Sequence, residues 1–131
     1  MVEVSDLLFL TSAVLACLGV LAHEIFGSAK VRGPLKSSKL PDGIVWLHHF
    51  SWHVGSVAVL AMIALFLLAI WQPGGLAFAA VATAMSVGFA ALGISLALFD
   101  NRALWRTPAP YPWTLIAILG GIGLLLETLP A

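Results

Sequence analysis

Four long apolar runs separated by short polar segments dominate the chain. The runs cover residues of about 7–26, 44–71, 76–99 and 113–129. Each approaches or exceeds the ~20 residues that an α-helix needs to cross ~30 Å of hydrocarbon. We therefore predict an all-α fold, an integral membrane four-helix bundle in which four transmembrane helices form a single domain over 1–131.

The polar segments between the runs are rich in turn-forming residues. Residues 28–43 contain Gly33-Pro34 and Pro41-Asp42-Gly43, which predict a long loop. Gln72-Pro73-Gly74-Gly75 predicts a tight, uncharged turn that leaves the second and third helices antiparallel. Pro112 can occupy the first turn of the last helix, where a missing N–H does no harm.

Composition agrees with a membrane environment. Hydrophobic residues make up 61% of the chain and charged residues 9%, against about 25% charge in soluble domains. Net charge is zero and the basic residues are confined to short segments, so nucleic-acid binding is not indicated. Cys17 is the single cysteine, which excludes a dithiol mechanism or a disulfide within one chain.

The basic residues predict the orientation of the protein. They fall in the first and third connections, which lie on the same side of a four-span protein, and Lys and Arg near span ends resist translocation. We expect a multi-pass protein of the bacterial inner membrane with both termini outside.

The acidic start at Glu3 and Asp6 is unlike a secretory signal, so the first run is expected to stay as a span. The cytoplasmic segments can also bind anionic membrane lipid. The basic residues are Lys30, Arg32, Lys36, Lys39, Arg102 and Arg106.

Small residues recur at helix-packing spacing in the last three runs. In lipid, such residues allow the close backbone approach that drives helix association. We predict that they pack the helices of one bundle together, and the alternative is an interface in a homo-oligomer or a larger membrane complex. These residues are Ser51, Gly55, Ala80, Ala84, Gly88, Ala117 and Gly121.

Three histidines are predicted to share one site near the cytoplasmic side. His49 and His53 lie one turn apart on one face of the second helix, and His23 lies about one turn before the end of the first. Imidazole binds transition metals and haem iron, so a metal or haem cofactor is possible here. Glu24 would flank the site, and Asp100 could orient an imidazole.

A simpler interpretation of the same residues stays open. His48 and His49 can be interfacial side chains, His53 can bond to a backbone or hydroxyl group, and His23 and Glu24 can be helix-end groups. The large aromatic residues are typical of an interfacial belt, although those near the histidines could instead surround a flat ligand. They are Trp46, Trp52, Trp71, Trp105, Tyr111 and Trp113.

Three functional hypotheses follow. The leading one is an accessory or ligand-binding membrane protein with a histidine-lined polar pocket on its cytoplasmic side. The alternatives are a haem- or metal-binding redox protein and a small oligomeric proton-coupled transporter.

Four histidines are too few for a membrane di-iron desaturase. Small multidrug transporters carry a glutamate deep in the first span, whereas Glu24 lies near its end.

Part of the chain resembles a known group of proteins. The motifs are Ala22-His23-Glu24-Ile25-Phe26-Gly27, Gly33-Pro34-Leu35 and Trp52-His53, which cover roughly the first half of the chain. They resemble an uncharacterised family of small four-transmembrane bacterial inner-membrane proteins with a first-span His and a second-span Trp-His pair. The resemblance implies that His23 pairs with His53 and names no ligand. His48 and His49 depart from the family pattern.

Overall fold

Every regular element in the computed structural model, which describes residues 3–128, is helical. Leu129, the predicted end of the fourth run, lies outside the described residues. The elements are α1 (Val4–Ala22), a first π segment (His23–Gly27), α2 (Ser28–Lys36), α3 (Asp42–Trp71), α4 (Leu76–Ser95), a second π segment (Leu96–Asp100), a 3₁₀ turn (Arg102–Arg106) and α5 (Tyr111–Thr128).

Four continuous helices in residues 3–128 are long and apolar enough to cross a membrane. They are Val4–Lys36, Asp42–Trp71, Leu76–Asp100 and Tyr111–Thr128. α1 packs against α3 and α5, and α4 packs against the same two helices, so the four form a ring in which neighbours are antiparallel. This confirms the predicted all-α four-helix bundle, and it places the last helix beside the first.

The tightest packing lies away from the basic residues. The rings of Phe9 and Phe66 stack with centroids 6.2 Å apart, and Met62 and Ile116 are fully buried around them. Two glycines of α5 allow its backbone to approach closely. A Cβ on Gly123 would lie 2.6 Å from the Phe9 ring, and one on Gly120 would clash with the Thr83 hydroxyl. Glycine is therefore needed at both positions for this packing.

The predicted packing inside the bundle is wrong for Ser51, which is exposed, for the small residues of α4 and for Gly121. Ala80, Ala84 and Gly88 are exposed, and a Cβ on Gly88 or Gly121 would meet nothing within 4 Å. α4 instead buries the adjacent face that carries Ala79, Ala82, Ser86 and Ala90. Alanines recur on both faces, but the hydroxyl residues Thr83 and Ser86 lie on the buried one, which the spacing of small residues alone does not indicate. A homo-oligomer interface at the exposed face stays a prediction.

The predicted loop over 28–43 is wrong for its first nine residues, which form α2. Elongating an existing helix avoids the cost of nucleating a new one. Pro34 lies in the last turns of α2, where the carbonyl that it leaves unpaired can bind water. At 1.5 Å per residue, Val4–Lys36 is ~50 Å long and Asp42–Trp71 is ~45 Å long. Both exceed ~30 Å of hydrocarbon, so α2 and the start of α3 extend beyond it.

The two ends of the bundle differ in charge. We call the end with α2 and the 3₁₀ turn the basic end and the opposite end the acidic end. At the acidic end, the Ser5 hydroxyl donates a hydrogen bond to the Glu127 carboxylate. The predicted turn between α3 and α4 is confirmed there, with Gly74 at a positive φ of 72°. That backbone conformation strongly favours glycine.

Candidate functional site

A pocket of about 190 Å³ lies among the four long helices, toward the basic end. We call it the His23 pocket. Its walls are apolar except for His23 and Ser56, and one wall is formed by the rings of Phe89 and Trp113, whose centroids lie 5.2 Å apart. The other lining residues are Gly19, Val20, Gly55 and Val59. The pocket therefore has an apolar body and two polar groups contributed by neighbouring helices.

Trp52 covers one face of the His23 imidazole. The two rings stack with centroids 3.7 Å apart and an angle of 14° between their planes. A Cβ on Gly27 would lie 2.9 Å from the Trp52 ring, so glycine leaves room for the indole. The Nε2 atom of His23 is buried and has no hydrogen-bond partner within residues 3–128. An unsatisfied buried polar atom of this kind costs about 1–3 kcal/mol.

Glu24 contacts two side chains of α3. Its carboxylate accepts a hydrogen bond from the Ser56 hydroxyl, and its Oε1 lies 3.5 Å from Nδ1 of His53. Glu24 belongs to the first π segment, and π turns inside α-helices often occur at functional sites. Because a π turn holds more residues than an α turn, the side chains beyond His23 leave the face that α-helical spacing predicts. The carboxylate thus contacts His53 itself, although the sequence predicted only a flanking position.

His49 is bound from α2. Nε of Arg32 donates a hydrogen bond to Nδ1 of His49 at 3.0 Å, and the imidazole is only 4% exposed. The Trp46 ring lies beside it, with a centroid distance of 5.4 Å. Arg32 also contacts the Ser28 hydroxyl at 3.4 Å. The hydrogen bond from Arg32 to His49 joins α2 to the first turns of α3.

The three predicted site histidines make three separate contacts. His23 stacks on Trp52, His53 pairs with Glu24 and His49 accepts from Arg32. In the part of the chain that the structure describes, no three His, Cys, Asp or Glu side chains are grouped to hold a metal ion. Asp100 ends the second π segment and is exposed. Metal or haem binding is not shown and stays a prediction.

The aromatic residues divide between the surface and the interior. Trp46 and Trp71 are largely exposed, as the predicted interfacial belt requires. Trp52 and Trp113 instead lie against His23 and the His23 pocket. The belt was the main prediction for both residues, and their positions beside the pocket correspond to the alternative that aromatic residues near the histidines surround a ligand.

Distances along α3 give the depth of these groups. Measured from Trp71 at 1.5 Å per residue, Ser56 lies ~22 Å along the helix, His53 ~27 Å and His49 ~33 Å. With Trp71 at one interface and ~30 Å of hydrocarbon, the His23 pocket lies inside the hydrocarbon region. His53 reaches its edge and His49 lies beyond it.

The fold and the pocket together define a multi-pass α-helical protein with a small pocket inside the bundle. Comparison with protein-family models, curated proteins and solved structures finds no match to this chain.

Arg32→Gln is expected to release α2 from α3. The substitution removes the Nε–H that His49 accepts, and hydrogen bonds that involve a charged group contribute about 1.5–3 kcal/mol. Amide hydrogen exchange of Ser28–Lys36 should accelerate about tenfold or more. Lys30→Gln removes an exposed charge from the same helix and is the control, with unchanged exchange expected. Equal exchange in the two variants would show that the Arg32–His49 contact does not hold α2.

Proposed function

We propose that this protein is a bacterial inner-membrane protein, with both termini outside, that binds a small lipid-soluble ligand in the His23 pocket near its cytoplasmic side. Its role is accessory or ligand-binding. The observation that supports the proposal is the buried, unpartnered Nε2 of His23 beside a pocket with apolar walls. A polar group of a ligand would satisfy this nitrogen, and the rest of the ligand would contact the walls.

The size of the pocket limits the ligand. Sites for drug-sized ligands occupy about 300–1,000 Å³. The His23 pocket has about 190 Å³, which suits a single ring or a short chain. The apolar walls favour a molecule that reaches the site through the bilayer.

Haem is less compatible with this geometry. A porphyrin exceeds the volume of the pocket. Because Nδ1 of His49 accepts from Arg32, the hydrogen of the neutral ring is on Nε2, which leaves no nitrogen lone pair free for the iron. An absorption spectrum and elemental analysis of the purified protein test this directly, because a Soret band or a bound metal would favour the redox alternative. The proton-coupled transporter stays a prediction from the sequence.

Filling the pocket should abolish ligand binding. We choose Gly55→Leu because Gly55 lines the pocket and its added side chain meets no atom within 4 Å of the Cβ. The probe is 4-fluorotoluene, followed by ¹⁹F NMR with the full chain in detergent. Burying one aromatic ring contributes about 1.5–3 kcal/mol, and the leucine side chain takes the space that the ring of the probe would fill. The affinity of 4-fluorotoluene for the Gly55→Leu variant should therefore fall about tenfold or more.

Gly88→Leu is the matched control, since Gly88 is an exposed helical glycine with equal free space around it. Its affinity for 4-fluorotoluene should equal that of the unmodified protein. Native mass spectrometry should also detect a small bound molecule that Gly55→Leu loses and Gly88→Leu keeps. If 4-fluorotoluene binds both variants equally, or if neither it nor its hydroxyl analogue 4-fluorophenol binds the unmodified protein, the ligand pocket is excluded.

A further inference from the structure

The hydrogen of the Ser56 hydroxyl is already engaged. Ser56 lines the His23 pocket, is buried, and donates its hydroxyl hydrogen to the Glu24 carboxylate. A hydroxyl has a single hydrogen and two lone pairs. Towards the pocket, Ser56 can therefore only accept a hydrogen bond.

Glu24 keeps the Ser56 hydroxyl in that orientation. An ionised carboxylate accepts hydrogen bonds and cannot donate them. The His53 imidazole, 3.5 Å away and half exposed, favours the ionised form of this carboxylate when it carries a proton. His23 is the other titratable group close to Glu24, and it lies on the same π segment. Glu24 is thus a positioning residue that acts on the pocket through Ser56.

His23 offers the complementary group. When Nε2 carries the imidazole hydrogen, it is a donor with no partner within residues 3–128. A ligand that satisfies both polar groups must donate to Ser56 and accept from His23. A hydroxyl group does both with one oxygen. A ketone or an ether can only accept, which leaves Ser56 unsatisfied.

We propose that the His23 pocket selects a ligand with a hydroxyl group, a lipid-soluble phenol or alcohol, over a ketone or an ether of the same shape. This inference rests on the ligand pocket proposed above. It adds the class of ligand and assigns the selectivity to Glu24 acting through Ser56. No bond is made or broken and no proton leaves the ligand.

Three probes of the same ring test the selectivity by ¹⁹F NMR with the full chain in detergent. 4-Fluorophenol donates and accepts, 4-fluoroanisole only accepts, and 4-fluorotoluene does neither. The two hydrogen bonds should make 4-fluorophenol bind about tenfold more tightly than 4-fluorotoluene. 4-Fluoroanisole can accept from His23 but cannot donate to Ser56, so its affinity should lie between the other two, about threefold below that of 4-fluorophenol.

Glu24→Gln should remove the preference without closing the pocket. The introduced amide can donate to Ser56, which frees the hydroxyl hydrogen to point into the pocket. The affinity for 4-fluoroanisole should then rise about threefold and equal that for 4-fluorophenol. Glu127→Gln is the control, because Glu127 accepts the same kind of bond from Ser5 at the acidic end. It should leave all three affinities unchanged.

Ser56→Ala provides a second variant, which keeps the bond from His23, so the affinity for 4-fluorophenol should fall about threefold while that for 4-fluorotoluene is kept. Equal affinities of the three probes for the unmodified protein would overturn the hydroxyl selectivity and leave the ligand pocket standing. An unchanged preference in both Glu24→Gln and Ser56→Ala would overturn the roles of these residues. If none of the probes binds, the pocket and the inference fail together.

Discussion

Gly120→Val should destabilise the bundle by about 1–3 kcal/mol, because it forces extra atoms into a closely packed contact. A Cβ at this position clashes with the Thr83 hydroxyl and lies 3.3 Å from the Phe66 ring. Phe66 and Thr83 are both buried, so neither can move into free space. α4 and α5 must therefore separate. Reversible unfolding in mixed detergent micelles measures the difference in free energy.

Gly121→Val is the matched control for this substitution. Gly121 is the next residue of the same helix, and a Cβ there meets nothing within 4 Å. Both variants carry the same modest helix cost of a β-branched residue, so their difference reports packing alone. We expect a change within about 0.5 kcal/mol for Gly121→Val. Similar losses in both variants would show that α4 and α5 do not approach at Gly120.

The sequence was sufficient for the fold because membrane spans are specified by length and hydrophobicity. Four apolar runs predicted four helices, and the structure confirms them. Helix rotation was not predictable in the same way. The spacing of small residues is the same for the buried Ala79 and Ala82 as for the exposed Ala80 and Ala84. The hydroxyl residues Thr83 and Ser86 were the available signal, because both lie on the buried face.

The polar site was only partly predictable. Depth along the helices placed His23, His53 and Glu24 in one region, and the structure brings Glu24 to His53. The contact partners depend on the π segment at His23–Gly27, which changes the direction of every side chain after Ala22. Helical spacing of 3.6 residues per turn does not predict such a segment. Gly27 was the available signal, since only glycine leaves room for Trp52 there.

The Arg32–His49 contact escaped prediction for a different reason. Gly33-Pro34 is typical of a turn, and this pattern hid the helical continuation of the first span. With α2 interpreted as a loop, Arg32 had no defined position relative to α3. Its charge was used only for orientation, although its side chain also binds a buried imidazole. Arg32 thus packs α2 against α3, in addition to the part in orientation that the sequence predicts for it.

Orientation provides the second prediction of large effect. An alkaline phosphatase fused after the C-terminus should be active, because this enzyme matures only outside the cytoplasm, and a fluorescent protein at the same position should be dark. Replacing the six Lys and Arg residues by Gln, together with Glu3→Lys, Asp6→Lys and Glu127→Lys, moves the positive charge to the other end of the bundle. Since Lys and Arg near span ends set the topology, most molecules should then insert inverted and exchange the two reporter signals.

The control for inversion is the triple variant Glu3→Gln, Asp6→Gln and Glu127→Gln. Acidic residues contribute little to topology, so both reporters should behave as in the unmodified protein. An active phosphatase in this control but an inactive one in the charge-exchanged protein supports the basic residues as the determinant. If the fluorescent protein is bright at the unmodified C-terminus, the basic end faces outward instead. His53, which reaches the edge of the hydrocarbon and is half exposed, would then lie at the outer side of the membrane.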